Sequence, residues 1–274
     1  MLMLVFILMV SRLTLVQYCL VNRLEEDNMH FIVIASGSKG NCTIIESSNT
    51  KVIVDCGTTK KYLTDSFNQV GFDYNNCDGV LLTHSHSDHI SQLRMFSNNK
   101  IYTPFMIKDY DCQLIKPLEI FRIKDLTILP IPLSHDSYNT VGYIFFDGKQ
   151  TLVQLTDSGY VSNSNQDLIK GADYYIIESN HDVDMLMSTS RPLMLKKRIL
   201  SDNGHLSNDD CARVIRNCIT SNTKKILLAH ISQQANTYQL AYQTMTNMLN
   251  QTGLNRSDLF VKALQQYQIY DSRD

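Results

Sequence analysis

Thr83-His84-Ser85-His86-Ser87-Asp88-His89 concentrates more metal-capable side chains than any other stretch of this chain. It follows Gly79-Val80-Leu81-Leu82, an apolar run that reads as a buried strand, so imidazoles and a carboxylate emerge together where a strand ends. Imidazoles two residues apart on an extended segment lie on one side and can converge on one ion. Asp88 and His89, displaced by the turn, can face a neighbouring ion. Nitrogen and oxygen donors without a thiolate suit Zn²⁺, with Mn²⁺ or Fe²⁺ as alternatives. The plain alternative is a His-rich surface turn, disfavoured because three of only eight histidines crowd into it.

Further donors stand just past other predicted strands. Asp55 follows Lys51-Val52-Ile53-Val54, and His135 follows Leu129-Pro130-Ile131-Pro132-Leu133-Ser134. Asp157 follows Leu152-Val153-Gln154-Leu155-Thr156, and His230 follows Lys225-Ile226-Leu227-Leu228-Ala229. One histidine after a strand is ordinarily a hydrogen-bonded structural residue. Several donors at strand ends, behind one His-x-His-x-Asp-His run, form a joint pattern that chance rarely supplies.

The rest of the chain suits an enzyme-sized globular domain. With 274 residues and 43% hydrophobic side chains, it can bury a substantial core and needs no disulfide or metal merely to fold. A formal charge of −2 excludes a globally basic nucleic-acid coat protein but leaves room for a local basic patch. The 7 cysteines show no CxxC and no regular spacing, as expected of reduced thiols in a cytoplasmic protein. Residues 1–28 are apolar apart from a few charges, lack a basic leading region and a cleavage site, and place Arg12 mid-run. They read as an appendage arising from an upstream start codon, the rival being a membrane-associating anchor. Without a real anchor there, no stable membrane association is expected, and the domain itself is expected over 29–274.

After residue 29, β-branched and aromatic runs predict strands over 31–35, 43–46, 51–54, 79–82, 101–102, 126–133, 142–146, 151–155, 174–177 and 225–228. Asp147-Gly148 signals a hairpin between two of them. Helices are expected behind Thr59, Ser207 and Thr237, each a capping residue before an apolar stripe. Mixed sheets with helices outside form the expected layering.

The set Asp55, His84-x-His86-x-Asp88-His89, His135, Asp157 and His230 resembles the motifs of the metallo-β-lactamase superfamily. Within it, Ala35-Ser36-Gly37-Ser38-Lys39-Gly40-Asn41-Cys42, Ser134-His135-Asp136, Thr156-Asp157-Ser158-Gly159-Tyr160, Glu178-Ser179-Asn180-His181-Asp182 and Gly204-His205-Leu206-Ser207-Asn208 look like the YycJ/WalJ branch of metal-dependent hydrolases and 5′–3′ exonucleases. The resemblance implies an α/β fold: an αββα four-layer sandwich of two mixed β-sheets with a two-metal cleft along one edge. It implies that His84, His86 and His135 hold one metal, that Asp88, His89 and His230 hold the other, and that Asp157 bridges them. Asp55 is implied to orient the ligand loop through hydrogen bonds. Two divalent ions so placed, Zn²⁺ or alternatively Mn²⁺, share a hydroxide that serves as nucleophile at neutral pH.

The same resemblance makes His205 a general acid or phosphate clamp. His181 is left as a phosphate contact, an extra ligand or a structural histidine. Ser207 and Asn208, at a helix start, could bind a phosphate oxygen or simply cap the helix. Lys197, in the run Lys196-Lys197-Arg198, is the leading basic contact for a polyanion, with Lys60-Lys61 and Lys224-Lys225 behind it. The leading expectation is a phosphodiesterase acting on DNA as an exonuclease. The alternatives are a small-molecule metallo-hydrolase (lactone, thioester or cyclic phosphodiester) and a non-enzymatic metal-stabilised regulatory module.

Overall fold

The computed structural model describes residues 29–96 and 100–274, so the appendage expected over 1–28 lies outside the described residues. Apolar runs in this chain rarely alternate with polar residues, because most strands are covered on both faces. In β1 (His30–Ala35), Phe31 and Val33 face the partner sheet while Ile32 and Ile34 face a helix layer, and all four are buried.

Seven-stranded sheet one continues through β2 (Cys42–Glu46), β3 (Lys51–Val54), β4 (Gly79–Leu81), β5 (Ile101–Thr103) and β6 (Gln113–Leu114), with β14 (Tyr270–Asp271) on the other edge of β1. Seven-stranded sheet two runs β7 (Phe121–Ile123), β8 (Leu126–Pro132), β9 (Val141–Phe146), β10 (Thr151–Leu155), β11 (Tyr174–Glu178), β12 (Lys225–Ala229) and β13 (Phe260–Ala263). Both sheets are mixed. β3 to β6 and β10 to β13 pair in parallel, and β1–β2, β2–β3, β7–β8, β8–β9 and β9–β10 pair antiparallel. The Asp147-Gly148 turn joins β9 to β10, with Gly148 at φ 98°.

Between the sheets lies a core that includes Phe31, Val54, Leu81, Tyr143, Phe145 and Ile176. Outside sheet one packs helix α1 (Lys60–Gln69) through Leu63 and Phe67. α2 is the short turn Ser87–Ile90. Outside sheet two lie α3 (Asn163–Ile169), α6 (Asn208–Cys218) and α7 (Tyr238–Gln251), whose Ile169, Val214, Ile215, Cys218, Ala241, Met245 and Leu249 form the outer core. α4 (Val183–Ser188) and α5 (Leu193–Ile199) pack a smaller cluster of Leu186, Ile199 and Ala235.

This is the expected layering of helix, sheet, sheet and helix. Thr59, Ser207 and Thr237 cap α1, α6 and α7, accepting from the backbone N–H of Tyr62, Asp210 and Leu240. Strand ends match the expected ones to within a residue. The edge strands β6, β7, β13 and β14 and the short helices α3, α4 and α5 were not expected, being too short for their periodicity to stand out. The six described cysteines are free, and among the described residues no helix is long and apolar enough to cross a membrane.

Topology gathers the donors. β8 runs antiparallel to β9, which runs antiparallel to β10, so β8, β10, β11 and β12 all end on one side of sheet two. Crevices beyond the carboxyl ends of such strands are where open α/β sheets bind ligands.

Candidate metal centre

Asp55, His84, His135, Asp157 and His230 each stand one to three residues beyond a strand end, while His86, Asp88 and His89 follow in the turn and short helix after β4, and the backbone is bent to aim several of them. Asp55, Asp157 and His230 take left-handed φ values of 59°, 60° and 52°. Such values are uncommon outside glycine and mark a functional constraint when they cluster. Hydrogen bonds hold two of the bends: Asp55 N–H donates to Leu81 O at 2.9 Å, and His230 N–H to Ser36 Oγ at 2.9 Å. Behind the 84–89 turn lies Gly57, where a Cβ would meet Asp88 O at 1.6 Å. Only glycine lets that strand end back so closely against the turn.

Four histidines are anchored by Nδ1 and turn Nε2 inward. Thr83 Oγ1 lies 2.9 and 3.1 Å from the Asp55 carboxylate oxygens and gives its proton there, so it accepts from His84 Nδ1 at 3.0 Å. His89 Nδ1 donates to Asp55 Oδ2 at 2.7 Å, His135 Nδ1 to Gly204 O at 3.1 Å, and His230 Nδ1 to Glu178 Oε1 at 2.9 Å. This is how imidazole ligands are oriented and their tautomer set.

The inward atoms fall into overlapping groups, each within 4.8 Å: His84 with His86 and His135, Asp88 with His89 and His230, and His84 with His89 and Asp157. Asp157 stands between them. Its Oδ2 is 3.1 Å from His89 Nε2 and its Oδ1 is 3.4 Å from His230 Nε2. Neither approach has hydrogen-bond geometry, and His84 Nε2, Asp157 Oδ2 and His230 Nε2 are buried without a hydrogen-bond partner. An unpaired buried polar atom costs about 1–3 kcal/mol, so these facing lone pairs fit shared cations. The donor chemistry, imidazole and carboxylate, fits Zn²⁺ or Mn²⁺ equally.

Electrostatics divide the histidines. Burial pushes His84 down to about 2, helped by the neighbouring imidazoles, which leaves it neutral as a ligand must be. Burial also lowers His135. Burial opposes the charge on His230, but Asp157, Asp88 and Glu178 outweigh it and lift the imidazole to about 10, so a cation bound at Nε2 would have to displace a proton there. Asp88 and Asp157 are held below the usual carboxylate range, because the surrounding imidazoles overcome the effect of burial.

His205 sits at the edge of this constellation, its ring 5.2 Å from His135 and 5.4 Å from His230. Its Nδ1 donates to Glu178 Oε1 at 2.7 Å. Burial lowers His205, but the Glu178 carboxylate more than compensates and raises it above its ordinary value. Its side chain keeps 14% exposure, against 2% for His230, so it reaches the cleft.

Other residues singled out in the sequence fall elsewhere. His181 is 1% exposed, joins none of the donor groups, and has neither ring nitrogen hydrogen-bonded; it lies where a backbone bridge ties it to Ser207. Ser207 Oγ accepts from Asp210 N–H and donates to Asp210 Oδ2 at 2.6 Å, the capping role. Asn208 donates its backbone N–H to His181 O at 2.9 Å, and its side chain is buried against Ser179 and Asn236. Neither offers a free donor to the cleft in this arrangement. In the basic run, Lys196 is buried with Nζ on Met187 O at 2.6 Å, Lys197 is exposed on α5, and Arg198 donates to Asp136. Lys224 and Lys225 are committed to Asp173 and to Ser272 O.

Sequence reasoning missed two residues that the fold brings in. Glu178 joins His205, His230 and the N–H groups of Ser158 and Leu206. Asn41 places Nδ2 3.0 Å from His89 Nε2. Both lie inside quoted motifs, but a carboxylate ending an apolar strand and an Asn in a glycine turn have commonplace structural explanations. Their partners are far away in sequence.

Known proteins match this arrangement. The family model for the β-lactamase superfamily domain covers residues 50–231. The exodeoxyribonuclease YycJ of Bacillus anthracis is 34% identical over 246 residues, covering 85% of this chain and 93% of that protein. The exodeoxyribonuclease WalJ of Streptococcus pneumoniae is 35% identical over 247 residues, covering 84% and 92%. Among solved structures, the metallo-β-lactamase fold protein YhfI of Bacillus subtilis superposes with a TM-score of 0.66 at 18% identity, over 89% of this chain and all of that one (100%). The short form of human tRNase Z superposes at 0.59 and 14% identity, over 88% and 98%. A sandwich of this topology, a donor set spread over its strand ends and relatives matched along most of their length lead to one assignment: the chain belongs to the metallo-β-lactamase superfamily, in its YycJ/WalJ-like branch.

Proposed function

We propose that this chain is a dinuclear metal-dependent phosphodiesterase that removes nucleotides from DNA. The observation that carries it is Asp157, a buried carboxylate whose two oxygens face the donor groups on either side. His84, His86 and His135 would hold one divalent cation and Asp88, His89 and His230 the other, with Asp157 shared. Two such cations supply a water nucleophile at neutral pH and neutralise charge on a phosphodiester.

The remaining work falls to the chain. Asp55 and Thr83 keep His84 and His89 in the ligand tautomer. Glu178 holds a proton on His205 at pH values where a free imidazole would have lost it. With Nδ1 committed to Glu178, the outer nitrogen of His205 is the one able to hand a proton to the leaving oxygen. The DNA substrate and the attack from strand ends rest on the YycJ and WalJ relatives, both exodeoxyribonucleases.

End-labelled single- and double-stranded DNA and RNA, incubated with Zn²⁺ or Mn²⁺, test this beside bis-p-nitrophenyl phosphate and a His86→Ala control. Stepwise loss of DNA ends that His86→Ala abolishes is the expected result. Hydrolysis of the small ester alone would assign a small-molecule hydrolase instead. Inactivity on every substrate, with two metals bound, would leave a binding module.

A further inference from the structure

Asp136 follows the ligand His135 directly and has no part in the assignments above. Its Oδ1 lies 3.2 Å from His135 Nε2 and 3.8 Å from His86 Nε2, on the inward side of both rings. Its Oδ2 accepts from Arg198 Nη1. One small carboxylate therefore parks a guanidinium beside the candidate metal donors. We propose that Arg198 clamps the scissile phosphate and that Asp136 is its positioning residue; this rests on the phosphodiesterase function proposed above.

Three observations support it. Arg198 is half exposed, with 51% of its side chain accessible, and its Nε and Nη2 make no hydrogen bond among the described residues. Those donors form the planar fork that matches two phosphate oxygens, a match that a lysine ammonium does not reproduce. Next, the backbone of Arg198 is locked to the turn that delivers His205. Ser201 N–H and Oγ both donate to Arg198 O, at 3.2 and 2.8 Å, and His205 N–H donates to Ile199 O at 3.0 Å. A Cβ on Gly204 would strike Ile199 O at 2.1 Å and Arg198 O at 2.3 Å, so no other residue allows this approach. Finally, Gly204 O accepts from His135 Nδ1. Proton donor and clamp thus share one turn, to which the ligand His135 is tied by a hydrogen bond, as electrostatic preorganisation requires.

The neighbouring lysines do not fill this role. Lys196 is buried on Met187 O, and Lys197 is exposed with no carboxylate to orient it among the described residues. Asp136 does more than cancel a charge. It restrains the guanidinium at one nitrogen and leaves Nε and Nη2 without a hydrogen bond among the described residues, available to an anion.

The test compares wild type, Arg198→Ala, Arg198→Lys and Asp136→Asn in two measurements. The first is binding of a non-hydrolysable phosphorothioate single strand by fluorescence anisotropy across a salt series. The second is the steady-state cleavage rate of the natural strand. Arg198→Ala should lower the slope of log affinity against log salt by about 0.7, one phosphate contact on a single strand. It should cut the cleavage rate roughly 100-fold, with metal content unchanged by mass spectrometry and the rate partly restored by added guanidinium ion. Arg198→Lys should recover the slope but not the rate. Asp136→Asn should keep the slope, lose rate, and gain nothing from guanidinium. An Arg198→Ala protein with wild-type slope and wild-type rate overturns the clamp. Binding that depends on Arg198 without any cleavage sinks the nuclease function alone, and a wild type that binds no strand sinks both.

Discussion

Replacing Glu178 by Gln is the sharpest test of the site's wiring. This carboxylate is fully buried and accepts from His205 Nδ1 at 2.7 Å, His230 Nδ1 at 2.9 Å, Ser158 N–H at 2.9 Å and Leu206 N–H at 3.3 Å. Gln keeps the shape but is neutral and must turn an amide N–H₂ toward groups that, among the described residues, now donate to the carboxylate. A hydrogen bond to a charged group contributes about 1.5–3 kcal/mol. Weakening the two to imidazole should therefore destabilise the fold by roughly 2–4 kcal/mol, since some of each bond survives. His230 loses the partner that fixes its tautomer, and losses of this kind weaken metal binding about 10–100-fold. His205 loses the charge that raises its pKa. An acid must be protonated to act, so the alkaline fall in kcat should move to lower pH in the variant. Metal titration against a competing chelator, urea denaturation and a kcat–pH profile measure the three effects. A Glu178→Gln protein with wild-type metal affinity and an unshifted alkaline limb would refute the claim that this carboxylate governs both histidines.

Other outcomes follow from the same packing. Gly57→Ala should cost about 3 kcal/mol or more, because the new Cβ would lie 1.6 Å from Asp88 O and backbone would have to move; a melting temperature near wild type would contradict this. His30, at the start of β1, donates to or shares protons with Glu46 Oε2 and Asp271 Oδ1, both at 2.7 Å. Burial lowers its pKa, yet the two carboxylates win and hold it above 6.5, while His30 and Lys51 hold Glu46 down at about 2. The raised His30 contributes stability below pH 6.5 that is lost as pH rises through its folded value, and the depressed Glu46 contributes above pH 4.5 and is lost as pH falls towards 2. The stability gap between wild type and His30→Gln should thus peak between those limits, and a gap unchanged from pH 5 to pH 9 would discount the clasp. Chelation should lower the melting temperature, since a cation at 100 times its Kd adds about 2.7 kcal/mol; differential scanning calorimetry with and without chelator reads it.

The strands, their ends and the donors beyond them were legible in the chain because each depends on neighbours in sequence. An apolar run stops, a turn follows, and a side chain of fixed chemistry stands there, as at Thr83–His89 or Thr156-Asp157. Capping by Thr59, Ser207 and Thr237 is equally local, a hydroxyl meeting an N–H three residues on. Motif resemblance then supplied the pairing of donors that spacing alone left open.

What joins distant segments had to wait for the folded chain. Glu178 meets His230 across 52 positions, Asn41 meets His89 across 48, and Arg198 meets Asp136 across 62. Nothing beside these residues distinguishes them from a strand-end acid, a turn amide or a solvated cation. The run Lys196-Lys197-Arg198 makes the point most clearly, because helix geometry buries the first, exposes the second and hands the third to Asp136. Residue types announced the donors, whereas only the crossing of strand ends at one sheet edge decided which side chains hold, charge and orient them.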